Sequence, residues 1–162
     1  FHWGQTFIKL ARDAAYQHIA LHTGGALARH DISVECMGVG ADFEILALQL
    51  LGSGQHGDIT TTIGHQVPHT RSNQLIKSVL VGDARGVFQG QIRVAPQAQK
   101  TNSQQQSRAL LLSPQAEMNT KPELEIFADD VICSHGAATG ALDETQLFYL
   151  QSRGLSRAAA QG

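Results

Sequence analysis

An all-β fold with a short helical end follows from three observations. Short apolar runs recur at 32–36, 43–51, 59–63, 74–81, 86–94, 109–112, 124–127 and 131–133. Gly, Asn, Asp, Ser or Pro separates most of them, the punctuation of strands joined by turns. No intervening segment carries a helical pattern of ten or more residues, which argues against βαβ units. Several runs alternate in part: Val87, Gln89, Gln91 and Arg93 interleave with Phe88, Ile92 and Val94, which turns one face inward and one to water. The run 109–112 is apolar throughout and needs cover on both sides.

These features leave two architectures open, a β-solenoid and a jelly-roll sandwich. A solenoid announces itself by a repeat of about 20–50 residues. Here Gly38, Gly40, Gly52, Gly54, Gly82, Gly86 and Gly90 recur without a fixed period. At the start, Ile8, Ala11, Ala15 and Ile19 fall at helical spacing, yet 8–19 also divides into strand pieces ahead of Gly24 and Gly25. The polar segment 97–106 holds five glutamines. It reads as a solvated loop or as a strand that stacks amides between neighbours.

The end of the chain is better defined. Asp143 stands as a helix N-cap with Gln146 three residues on. Leu147, Phe148, Leu150 and Gln151 follow at helical spacing, and Gly154 suits the position after the C-cap. Ser156 caps a second helix through 158–160. The chain changes from strands to helices near residue 140, where Gly136 to Gly140 read as a glycine-rich turn that redirects it.

Composition excludes several function classes. At 162 residues, with 42% hydrophobic and 16% charged residues, the chain is long enough to bury a core and too apolar for disorder. A net charge of −2 and scattered basic residues give no footprint for nucleic acid. No apolar run approaches the roughly 20 residues of a membrane-spanning helix. Cys36 and Cys133 stand 97 positions apart with no disulfide framework, and are expected as reduced thiols. Since the chain starts at Phe1 and stops within a helical pattern, it is expected to be part of a longer protein.

Metal ligation is the first chemistry to weigh. The histidines are His2, His18, His22, His30, His56, His65, His69 and His135. His65 and His69 have the i, i+4 spacing of two ligands on a helix face, but Pro68 opposes a helix there and no Glu follows His65. Cys133 and His135 project to one side if their run is a strand. A thiolate and an imidazole so placed offer two ligands to iron or zinc, half of a closed site. The plainer reading is a small buried thiol beside a surface histidine, and Cys36, among apolar neighbours, reads as core. Ser134, His135, Asp129 and Asp130 supply the residue types of nucleophilic hydrolysis without a Gly-x-Ser-x-Gly elbow. No phosphate-binding glycine motif is present.

The segment 122–154 resembles the C-terminal core of the SufB/SufD family, scaffolds of the SUF iron–sulfur cluster assembly system. The resemblance is carried by Pro122, Leu124–Ile126, Ala128–Val131, Cys133–Ala137, Gly140, Leu142–Glu144, Leu147–Leu150 and Ser152–Gly154. Weaker similarity runs back through Gln55-His56-x-Asp58, His65-x-x-Pro68-His69-Thr70 and Arg85-x-Val87-Phe88 to the Gly38-x-Gly40 turn. The Cys-Ser-His-Gly-Ala form is similar to the SufD branch.

The resemblance implies a right-handed parallel β-helix over 1–140 and the start of a helical region over 141–162. It implies a non-catalytic, cytoplasmic scaffold that pairs with a SufB-like subunit through the β-helix, or with a second copy of itself, and with a SufC-like ATPase through C-terminal helices. No intrinsic cofactor, nucleic acid or membrane is expected. A nascent cluster would form at the subunit interface, with His135 contributing and Cys133 beside it. Asp143, Leu147, Phe148, Tyr149, Leu150 and Arg153 would belong to the docking region. The alternative from another class is a cupin-like β-sandwich metalloprotein that uses His65, His69 and a third ligand.

Overall fold

Ten strands and nine turns wind into five coils, each coil contributing one strand to each of two sheets. The computed structural model describes residues 1–161; Gly162, the last residue of the expected helical segment, lies outside the described residues. The strands are β1 (His2–Leu10), β2 (Ala15–His22), β3 (Leu27–Cys36), β4 (Asp42–Leu51), β5 (His56–His65), β6 (Arg71–Leu80), β7 (Arg85–Val94), β8 (Asn102–Leu111), β9 (Glu117–Ile126) and β10 (Ile132–Ala141). One sheet runs β1-β3-β5-β7-β9, the other β10-β8-β6-β4-β2, and every pairing is parallel. This is the expected β-solenoid, and it overturns the sandwich alternative. The segment 8–19 is two strands and a turn rather than a helix.

Constant strands and unequal turns explain the missing period. Strands β3 to β10 are ten residues each, whereas the turn 81–84 has four residues and 95–101 has seven. The register therefore advances by 29 residues from Leu27 to His56 and by 32 from Arg85 to Glu117.

Alternation then builds the interior. Ile8, Val34, Ile63, Ile92 and Leu124 stack in register through all five coils. Phe43, Ile45, Ile59, Ile76 and Phe88 fill the space between the sheets and are fully buried. Outside, Arg71 pairs with Asp42 at 2.8 Å and Arg93 with Glu125 at 2.9 Å, each across adjacent coils. Exposed pairs of this kind contribute about 0–1 kcal/mol, so the apolar stack dominates.

The turns also stack. Gly38 lies directly over the turn 11–14, where an added Cβ would stand 2.0 Å from the Arg12 nitrogen and 2.2 Å from the Ala11 carbonyl carbon. Both atoms are backbone and cannot rotate away. Gly38→Ala is expected to destabilise the fold by about 1–3 kcal/mol, the usual cost of overpacking. Urea denaturation measures it against Gly52→Ala, where the nearest atom is 3.8 Å away; equal midpoints for the two variants would refute the turn-stacking account.

Within 97–106 both readings hold in part. Residues up to Thr101 form a turn, and from Asn102 the chain is strand, with Gln105 buried in register with Gln74.

Candidate functional site

The last coil carries the residues singled out by the Cys-x-His spacing. Strand β10 pairs only with β8, so its other edge has no backbone partner among the described residues. The expected glycine turn at 136–140 is a correction: Gly136 and Gly140 lie inside β10, and the strand continues past His135 to Ala141. Strand β8 supplies a pairing ladder that carries these small residues as far as Ala141, and an added Cβ at either glycine would meet nothing within 4 Å. The result is an open strand edge, a template for pairing with another strand.

Cys133 and His135 do project to the same, inward side. Cys133 stands in register with Ser103 and His135 with Gln105, and both partners are buried. Among the described residues no further coil covers them, and Cys133 is half-buried and His135 exposed. Burial raises the Cys133 thiol above its ordinary value, and the Ser103 backbone hydrogen bond pulls it partly back. The thiol is therefore protonated at neutral pH and becomes a thiolate ligand only when a metal displaces the proton. Cys36 is inert by contrast: it is fully buried, and burial with the nearby Glu35 and Asp42 carboxylates pushes its thiol up to about 12.

Below Cys133 lies a file of hydroxyls. Ser103 Oγ contacts Ser72 Oγ at 2.6 Å, and Thr101 Oγ1 contacts Thr70 Oγ1 at 3.2 Å. His65 sits under both, its Nδ1 2.7 Å from Thr70 Oγ1 and its Nε2 3.0 Å from Ser72 Oγ. Both ring nitrogens are thus engaged, and burial holds the imidazole down at about 4. His69 is exposed in the following turn at φ 59°. His65 ends a strand and faces the core, so the i, i+4 spacing does not bring the two rings to one helix face. No group of three His, Cys, Asp or Glu side chains in a metal-holding arrangement occurs among the described residues.

The helical end forms as its caps dictate. Asp143 Oδ1 accepts from the Gln146 backbone N–H at 3.0 Å, starting α1 (Glu144–Ser152). Gly154 at φ 94° closes it: its N–H bonds the Gln151 carbonyl, and the Leu155 N–H reaches Leu150. A second helix, α2 (Arg157–Gln161), follows, with Ser156 Oγ accepting from Ala159. Leu147 is buried, lining a cavity with Leu111, Ala116 and Leu142. Leu150 is half-buried and Asp143 exposed. Phe148 is 70% and Tyr149 57% exposed, with Arg153 Cζ 5.2 Å from the Tyr149 ring centre.

One group of side chains escaped the sequence reading. His2, His18, His22 and His30 line a single cavity at the opposite end of the solenoid. The alternation His18-x-Ala20-x-His22 was a signal that two of them share a strand face. Their meeting with His2 and His30 depends on the pairing of β1 with β3.

The family model for the SUF system FeS cluster assembly SufBD core domain matches residues 1–162. The chain belongs to the SufBD core family. It is 40% identical over 161 residues to the iron–sulfur cluster assembly protein SufD of Escherichia coli, covering 99% of this chain and 38% of that protein. A SufBD family protein of Synechocystis is 41% identical, over 96% of this chain and 34% of its own length. Protein ABCI7, chloroplastic, of Arabidopsis thaliana is 39% identical, with 96% and 33% covered. The chain is a SufD-like member and spans about a third of the length of these relatives. No helix among the described residues is long and apolar enough to cross a membrane.

Proposed function

We propose that this chain is the β-helix core of a non-catalytic scaffold subunit in iron–sulfur cluster assembly. Family membership supports the assembly role. The observation that carries the scaffold reading is the open β10 edge with Cys133 and His135 on its inward side. A second SufBD-type subunit, SufB-like or another copy of this chain, adds its own strand to that edge. One thiol and one imidazole are half of a coordination shell, so the subunit across the interface contributes the other ligands. The nascent cluster is cargo held between subunits.

The exposed Phe148 and Tyr149 on α1, with Arg153 at its C-cap, form an apolar and cationic surface suited to docking a SufC-like ATPase, while Leu147 anchors the helix to the solenoid. The scaffold acts in the cytoplasm or, as the chloroplastic relative suggests, in a plastid. His65 and His69 take no part.

The full-length protein carrying His135→Ala tests this in cells that lack their own SufD. Cluster assembly is expected to fall, while co-purification with SufB-like and SufC-like partners persists, since backbone pairing along β10 does not need the imidazole. Undiminished assembly would remove His135 from the mechanism. Failure of the unaltered protein to co-purify with a SufB-like partner would overturn the scaffold reading.

A further inference from the structure

Imidazoles are concentrated at one place in the first two coils. The inward row that runs from Gly4 to His30 continues as Ile59 and Phe88, the row from His18 continues as Ile45, Gln74 and Gln105, and the row from His22 as Gln49 and Ser78. Later coils fill these places with apolar, amide and hydroxyl side chains, whereas the first two gather imidazoles there. His18 and His22 come from β2, His30 from β3 and His2 from β1, and all four line one cavity.

Two ring nitrogens in this group have no partner. His18 Nε2 and His22 Nδ1 are buried and bond nothing, although His22 is only 8% exposed. A buried polar atom without a partner is costly and calls for an explanation; Gln49 Nε2, Gln74 Nε2 and Gln105 Oε1 share that state, but only the two imidazoles belong to a group of four histidines lining one cavity. Neither is needed to hold the strands, which pair through their backbones. His30 Nε2 is 2.9 Å from Thr6 Oγ1, a hydroxyl that water replaces readily if the ring turns.

The ring spacing suits a shared ion. In a tetrahedral shell with zinc–nitrogen bonds of about 2.0 Å, imidazole centres lie roughly 3.2 Å from the metal and so about 5 Å from one another. The His18 and His30 ring centres are 5.3 Å apart and those of His22 and His30 are 6.2 Å apart. His2 reaches the same place: a Cβ added at Gly4 would lie 3.5 Å from both His2 Nε2 and His30 Cδ2. As they stand, the rings do not form a metal-holding group, and a shared ion requires each ring to turn about its side-chain torsions.

We propose that His2, His18, His22 and His30 form a binding site for one divalent transition-metal cation of the nitrogen-preferring class, zinc foremost. An all-imidazole donor set favours zinc, nickel, cobalt or copper over magnesium and calcium, which take oxygen. The site stands at the end of the solenoid opposite Cys133 and His135 and does not depend on the scaffold reading.

Titration of the tag-free protein with cobalt(II), followed by visible absorption, tests the site. One equivalent is expected to give tetrahedral ligand-field bands that zinc displaces, with no response to magnesium. His2→Ala and His18→Ala are each expected to weaken cobalt binding by at least about tenfold, the scale of a disturbed metal site. His69→Ala, at an exposed turn, leaves it unchanged. His2 is exposed and takes no part in the core, so His2→Ala keeps the test valid even if loss of a buried imidazole unfolds the first coil; circular dichroism of each variant reports that. Absence of a saturable tetrahedral spectrum, or equal affinity in the unaltered protein and in folded His2→Ala and His18→Ala, would overturn the proposal.

Discussion

Phe88→Ala is expected to destabilise the solenoid by about 3–5 kcal/mol, the range for deleting a fully buried aromatic side chain. Phe88 is 0% exposed and belongs to the main core cluster with Ile59, Ile76 and Phe43. Its ring ends where a side chain at Gly90 would begin, since a Cβ there would stand 2.7 Å from Phe88 Cζ. Gly90 cannot grow to fill the hole, and Gln105 on the facing sheet already reaches across to donate to the Gly90 carbonyl at 3.3 Å. The stacked backbones above and below limit collapse, so the cavity term persists. The midpoint of urea denaturation measures the loss. A change below about 1 kcal/mol would show that the interior repacks, contrary to the close packing expected of a core.

The second large effect is a pH dependence. His65 is fully buried, and burial lowers its value from 6.5 to about 4. The unfolded chain therefore binds a proton below pH 6.5 that the folded chain refuses until about pH 4. Stability from this group is complete above pH 6.5 and is lost as pH falls through that window. A gap of this size corresponds to about 3 kcal/mol. His18, His22 and His30 shift in the same direction, so the total acid sensitivity exceeds the His65 share. Comparison with His65→Gln isolates it, because glutamine hydrogen-bonds to Thr70 and Ser72 without titrating. Denaturation at pH 7 and pH 4.5 is expected to show a shallower loss for His65→Gln than for the unaltered protein. Identical losses would mean that His65 is neutral in neither or both states.

Much of the fold was legible in the residues. The runs around Val34, Phe43, Ile63 and Ile92 name the strands, and period-two alternation names their inward faces. The Asp143 cap, Gln146 and Gly154 placed α1 because capping is a local matter of a few backbone groups. The reading of 136–140 as a turn failed for a definite reason. Glycine permits a turn but does not require one, and β8 offered a pairing ladder that extended the strand to Ala141. The helical spacing of Ile8, Ala11, Ala15 and Ile19 failed likewise, since short spacings satisfy both periods and partner strands β3 and β4 decided between them.

By itself, then, the amino-acid sequence determined that this chain is strands with a capped helical end, which faces of those strands point inward, and that it resembles the SufBD scaffolds. Only the tertiary structure decided which inward residues meet. Alternation specifies a side of the sheet but not a rung, and the rung depends on turns that vary from four to seven residues. That register set His65 beneath two hydroxyls instead of beside His69. It brought four histidines from three strands to one end, and it left Cys133 and His135 on an open edge at the other.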